Sequence, residues 1–220
     1  MDILAIDVGG THVKVLASGK RQPRKVESGP TMTPARMVKA VQQMATDWKY
    51  DRISIGYPGV VVHGRIAAEP MNLGRGWVRF DFEKAFGHPV RIVNDAAMQA
   101  LGSYRGGRML FLGLGTGLGS AMIVDGDLQP LELAHLPWKK GRTYEETIGA
   151  QGLLRLGKRK WRERVNEAVG ALRQALEPDY VVIGGGNAKK LERLPRGVLL
   201  GDNAKAFTGG FRLWKTTKRG

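Results

Sequence analysis

The 220-residue chain contains no cysteine, which excludes disulfides, thiolate metal ligands and cysteine nucleophiles together and fits a reducing compartment. Nothing near Met1 has the basic, apolar and small-residue order of a signal peptide, and no apolar run approaches the length of a bilayer span. A soluble cytoplasmic protein without a membrane partner is expected. Low-complexity linkers are also missing. Acidic residues are scarce: 20 Asp and Glu against 35 Lys and Arg leave a net charge of +15, a field that concentrates polyanions. The basic residues recur at Lys20-Arg21, Arg24-Lys25, Lys139-Lys140-Arg142, Lys158-Arg159-Lys160-Arg162-Arg164 and Lys218-Arg219 rather than in one tail. A generally solvated cationic surface and a specific polyanion groove both remain open. Neither an aromatic-rich strand motif nor a basic recognition helix stands out, so nucleic acid is not expected as a partner.

With 42% hydrophobic residues, the chain can bury one substantial core or two small lobes sharing a cleft. Apolar runs at 3–6 and 13–17, joined by a glycine-containing turn, predict a hairpin that begins almost at Met1. Thr33-Pro34 is a helix start, with Met37, Val41, Met44 and Trp48 on one stripe. Residues 53–56 and 90–93 read as strands, and 96–104 as a short helix beginning just after Asp95. Strands at 109–114 and 120–124 enclose a second glycine turn. An amphipathic helix over 162–176, stopped by Pro178, leads into a strand at 180–183 and Gly184-Gly185-Gly186. The alternation predicts an α/β fold. Because the opening glycine-turned hairpin recurs, two lobes are expected, 1–95 and 96–220, with the last helix packing back on the first.

The two turns carry the chemistry. Neither Gly9-Gly10-Thr11 nor Gly115-Thr116-Gly117 has the Lys-Ser/Thr and following helix of a P-loop. A dinucleotide fingerprint starting at Gly113 would need glycine at Leu118, and this turn also lies between strands. What remains is an anion nest, in which convergent backbone N–H groups are joined by a threonine hydroxyl. Asp7, beside the first nest, would repel bare phosphate and makes sense if it holds Mg2+, usually through water. Each turn taken alone is equally a tight hairpin needing positive φ. Asp95, after a strand and before a helix, is a candidate general base, although local sequence alone favours a helix N-cap.

Asp7-Val8-Gly9-Gly10-Thr11, Tyr57-Pro58-Gly59-Val60-Val61, Asn72-Leu73, Asn94-Asp95-Ala96-Ala97, Leu114-Gly115-Thr116-Gly117-Leu118-Gly119, Glu132-Leu133-Ala134-His135 and Ile183-Gly184-Gly185-Gly186 follow one another in the order seen in the ROK family of sugar kinases, which the chain resembles over nearly its whole length. Its aspect is closest to the polyphosphate/ATP glucokinase branch. The resemblance implies a two-lobed actin-like ATPase (ribonuclease H-like) fold with the active site in the interlobe cleft. It further implies phosphoryl transfer from ATP or inorganic polyphosphate to the 6-hydroxyl of glucose or a related hexose, Asp95 being the base. Asn72, Asn94, Glu132, His135 and one of Glu145-Glu146, preferably Glu145, would bind the sugar. Gly184, Gly185 and Gly186 would lie beside the adenosine. Homodimers are common in the family and a homodimer is expected. Ala134 stands where most relatives have glycine, and the three cysteines of their zinc site are missing, so no zinc is expected. Mannose or an N-acetylhexosamine remains an alternative substrate. A non-catalytic sugar sensor is a second alternative, although such regulators carry a leading helix-turn-helix domain and here the first strand starts at Ile3.

Overall fold

The computed structural model describes residues 1–215, and the basic pair Lys218-Arg219 lies outside them. The chain forms two compact units, Met1–Met98 together with the chain from Ala206 onward, and Gln99–Lys205. In the first unit, β1 (Ile3–Val8) and β2 (His12–Ala17) make the expected antiparallel hairpin, with Val8 opposite Val13. β3 (Arg24–Glu27) extends it at the edge. α1 (Pro34–Met44) starts where Thr33 accepts a hydrogen bond from Arg36 N, and it buries Met37 and Val41. The helix ends at the Ala45 cap, so Trp48, expected on the same stripe, reaches the core from the following loop. β4 (Arg52–Tyr57) runs parallel to β1. After the short pair β5 (Val61–Val62) and β6 (Arg65–Ile66) come α2 (Phe82–Phe86), capped by Asp81, and β7 (Val90–Asn94), parallel to β4. α3 (Asp95–Ser103) follows without a break, one residue earlier than the sequence suggests.

The second unit repeats the plan. β8 (Arg108–Leu114), β9 (Leu118–Val124) and β10 (Asp127–Leu131) form an antiparallel meander. α4 (Tyr144–Ile148) and α5 (Ala150–Leu176) precede β11 (Tyr180–Gly184) and β12 (Val198–Leu200), which add parallel strands beyond β8. The two five-stranded sheets therefore have matching orders, β3-β2-β1-β4-β7 and β10-β9-β8-β11-β12. α5 is two helical stretches joined by a kink at Gly157, where φ is 72 and ψ 162, and the second, which carries the expected amphipathic stripe, begins shortly before the expected Arg162. Its inward stripe, Trp161, Val165, Ala168, Val169 and Leu172, covers the second core. α6 (Lys205–Arg212) closes the described chain. Among the described residues no helix is long and apolar enough to cross a membrane.

Candidate active site

Parallel strands deliver their C-terminal ends to one edge of a sheet, which is where open α/β folds bind ligands. In the first unit Asp7 on β1 is level with Gly56 on β4, and Gly56 with Val93 on β7. This edge therefore carries Asp7, the turn 9–11 and Asn94-Asp95, with β1 and β7 roughly 10 Å apart. Loss of hydration, and secondly the charge of Asp7, push the Asp95 carboxyl up to about 7. Burial also raises Asp7, against a lowering by Lys14, whose Nζ stands 3.8 Å from Oδ2.

The helix cap that local sequence offered to Asp95 belongs to Asn94. Its Oδ1 accepts from Ala96 N at 2.9 Å and Ala97 N at 3.4 Å, while its Nδ2 donates to Gly59 O at 2.9 Å. Asp95 is itself the first helical residue, and its Oδ1 accepts from Ala96 N at 2.7 Å. The exposed Asn72 stands beside the first turn, because a Cβ added at Gly10 would lie 3.1 Å from Asn72 Cβ. Two residues that sequence reasoning missed organise this region. Ser28 Oγ donates to Gly9 O at 2.6 Å, and Ser28 N donates to Thr11 O at 2.9 Å. The Glu69 carboxylate accepts from Gly76, Trp77 and Val78 N at 2.9 to 3.1 Å, which fixes the loop bearing Asn72. Neither has a local sequence signature.

In the second unit, the turn 115–117 closes with Gly115 N donating to Gly117 O at 3.1 Å. Glu145 Oε2 accepts from Leu118 N at 3.0 Å, and a Cβ at Gly117 would lie 2.2 Å from that oxygen, so glycine is required for the carboxylate to approach. Glu146 is engaged elsewhere, in a capping box with Thr143 at the start of α4. Of the acidic pair, Glu145 faces the turn. Glu132 and His135 are exposed at the two ends of a 3-10 turn at Leu133–His135. Ser120 Oγ anchors that turn by donating to Leu131 O and accepting from Leu133 N, and Ala134 is buried within it. Gly184, Gly185 and Gly186 follow the end of β11, and Gly185 has φ +86 with no room for a Cβ, which would meet Leu114 O at 2.4 Å.

The glycines at 9, 10, 115 and 117 all lie outside the left-handed region. A need for positive φ therefore does not explain either turn, whereas close approach explains Gly10 and Gly117. Among the described residues no three or more His, Asp or Glu side chains gather as a metal cage. Asp7, whose charge disfavours ionisation of Asp95, is instead the type of group that suits a Mg2+ keeping most of its water.

The ROK family model matches residues 3–130. The chain is 27% identical over 211 residues to a polyphosphate glucokinase of Mycobacterium tuberculosis, covering 86% of this chain and 78% of that protein. It is 28% identical over 144 residues to an N-acetylmannosamine kinase of Salmonella newport, covering 58% and 49%. Among solved structures, the inorganic polyphosphate/ATP-glucomannokinase of Arthrobacter sp. strain KM superposes with a TM-score of 0.79 at 24% identity, over 95% of this chain and 96% of that one. The fold is thus the actin-like ATPase fold of ROK sugar kinases.

Proposed function

The chain belongs to the ROK family, and on that premise we propose that it is a sugar kinase. It transfers a phosphoryl group from ATP or inorganic polyphosphate to the 6-hydroxyl of glucose or a related hexose. The observation that carries the reading is Asp95, a carboxyl held near pH 7 beside Asp7 at the strand-end edge. A base with a proton affinity near the working pH is suited to take a hydroxyl proton as the oxygen attacks phosphorus. The new P–O bond forms as the bond to the departing phosphate breaks, and the proton goes to an Asp95 oxygen. Asp7 would hold Mg2+, which supplies charge neutralisation for the phosphates when bound. The remaining work is positioning and electrostatics.

The N–H groups of Thr116 and Gly117, and the turn 9–11 beyond Gly9, whose N–H donates to His12 O, hold donor phosphates. Gly184, Gly185 and Gly186 accommodate the adenosine, and Asn72, Asn94, Glu132, His135 and Glu145 the sugar hydroxyls. Asn94 has one amide hydrogen left after its bond to Gly59 O, enough for a single hydroxyl. A site built on such bonds rejects sugars lacking one of the hydroxyls. The relatedness to an N-acetylmannosamine kinase makes that sugar the second substrate to try.

The test is an assay of the purified protein with glucose, mannose and N-acetylmannosamine against ATP and polyphosphate, with Mg2+, detecting sugar 6-phosphate. Absence of product from every pair would sink the kinase reading. Asp95→Asn should lower turnover by about 10² to 10⁴ while calorimetric sugar affinity stays within a few-fold. Near-normal turnover in that variant would mean that another group is the base.

A further inference from the structure

The turn 115–117 is held from behind by a residue outside every motif considered so far. Asn187 N donates to Leu114 O at 2.9 Å, and Asn187 Nδ2 donates to Gly115 O at 2.9 Å. Thr116 O accepts from Ala150 N at 3.2 Å, and Gly117 O accepts from Gly115 N at 3.1 Å. Every carbonyl from 114 to 117 is therefore occupied. Leu118 N is taken by Glu145. Among the described residues no hydrogen bond engages the N–H of Thr116 or Gly117. With its acceptors consumed, the turn presents donors alone, which is what an anion requires.

The orientation of the Asn187 amide is fixed by chemistry. Lys190 Nζ lies 2.7 Å from Asn187 Oδ1, and an ammonium can only donate, so the oxygen must face the lysine and the NH2 must face Gly115 O. The 3-10 turn Ala188–Lys190 brings the two side chains together at a spacing of three. Arg162 Nε on α5 donates to Lys190 O at 2.6 Å and fixes that turn. Asn187 directly follows the three glycines at 184–186, so one short segment both clears space and grips the phosphate turn.

Building on the kinase reading, we infer that Asn187 is a positioning residue for the donor phosphates, its amide oriented by Lys190. It keeps the Gly115 carbonyl turned away, so that the Thr116 and Gly117 amides face phosphate. It touches neither substrate.

Direct binding tests this without relying on turnover. Inorganic tripolyphosphate with Mg2+, titrated calorimetrically, should bind Asn187→Ala about tenfold more weakly than the parent, the effect of one lost hydrogen bond and a loosened carbonyl. Asn187→Asp should lose more, because it places an acceptor against Gly115 O. Sugar affinity should stay within about twofold and the KM for ATP should rise, a split that general loosening of the fold would not produce. In the Asn187→Ala background, Lys190→Met should add less than about a twofold loss, since the lysine acts through the amide. Unchanged tripolyphosphate affinity in folded Asn187→Ala, or no binding by the parent, overturns the inference. A full additional loss from Lys190→Met overturns the orienting role. Loss of tripolyphosphate binding in a protein that phosphorylates no sugar leaves the inference standing and removes the kinase reading.

Discussion

Asp95 makes the folded protein a better proton acceptor than the unfolded chain, since its carboxyl moves from 3.8 to about 7. Well below pH 4 the group is protonated in both states and has no effect on stability. As pH climbs from about 4 to 7 the unfolded chain ionises first, so stability is lost progressively and the loss levels off above about 7. Three pK units bound the loss at roughly 4 kcal/mol, and the partial exposure of the side chain reduces it to ~1–3 kcal/mol. Asp95→Asn, which stays neutral, should therefore melt higher than the parent at pH 8. The difference should shrink between pH 7 and 4 and vanish well below 4, as followed by thermal denaturation. A difference independent of pH would remove ionisation of Asp95 as its cause. The inactive variant would then be the more stable protein, the trade expected where a site is kept under electrostatic tension.

At the scale of elements, α6 is fastened to β4 through a buried serine. Ser54 Oγ donates to Gly210 O at 2.6 Å and accepts from Trp214 Nε1 at 3.0 Å. The guanidinium groups of Arg91 and Arg52 lie 4.4 and 4.9 Å from the Trp214 ring centre. Since each cation–π contact and each hydrogen bond is worth about 1 kcal/mol, Trp214→Ala should destabilise the protein by ~2–3 kcal/mol. A urea midpoint that does not move would show the docked end to be dispensable. The last helix was expected to pack back on the first lobe, but the residues of this contact were not legible, because Ser54 and Trp214 are far apart in sequence and two glycines weaken the helical signal of α6. The hairpins and parallel strands were legible because glycine turns punctuate continuous apolar runs. In α5 the stretch before the kink at Gly157 has no clear stripe and was missed, and only the stretch with the stripe from Val165 could be read. The phosphate turns and Asp95 stood out because their residue types sit together in the chain. The assignment of Glu146 to a cap was available in Thr143-x-x-Glu146, a capping-box pattern, and it would have resolved the choice of Glu145. Ser28, Glu69 and Asn187 act on backbone atoms remote in sequence, which no local pattern encodes.

For the whole molecule the open question is what a net charge of +15 is for. Several of its cations are already paired: Arg24 with Asp47, Arg159 with Glu163, Arg162 with Glu192, and both Lys139 and Arg164 with Glu167. Lys158 and Lys160 are exposed on α5, and no ion pair engages them among the described residues. The stretch before the kink at Gly157 opens at Ala150, whose N–H donates to Thr116 O in the turn 115–117. Lys158 and Lys160 follow the kink at Gly157, and if the turn holds donor phosphate as proposed, they are the cations to test as a track for a linear polyanion, which a compact nucleotide would not need. Contacts between a polyanion and exposed cations weaken steeply with salt, because condensed counterions are released on binding and screening shortens the reach of each charge. Between 50 and 500 mM KCl, kcat/KM with polyphosphate should fall by roughly tenfold or more, and with ATP by less than about threefold. Lys158→Glu combined with Lys160→Glu should flatten the polyphosphate dependence and leave the ATP values in place. Parallel salt dependences for the two donors, unaffected by the double substitution, would instead make the charge a solvated coat with no part in choosing the donor.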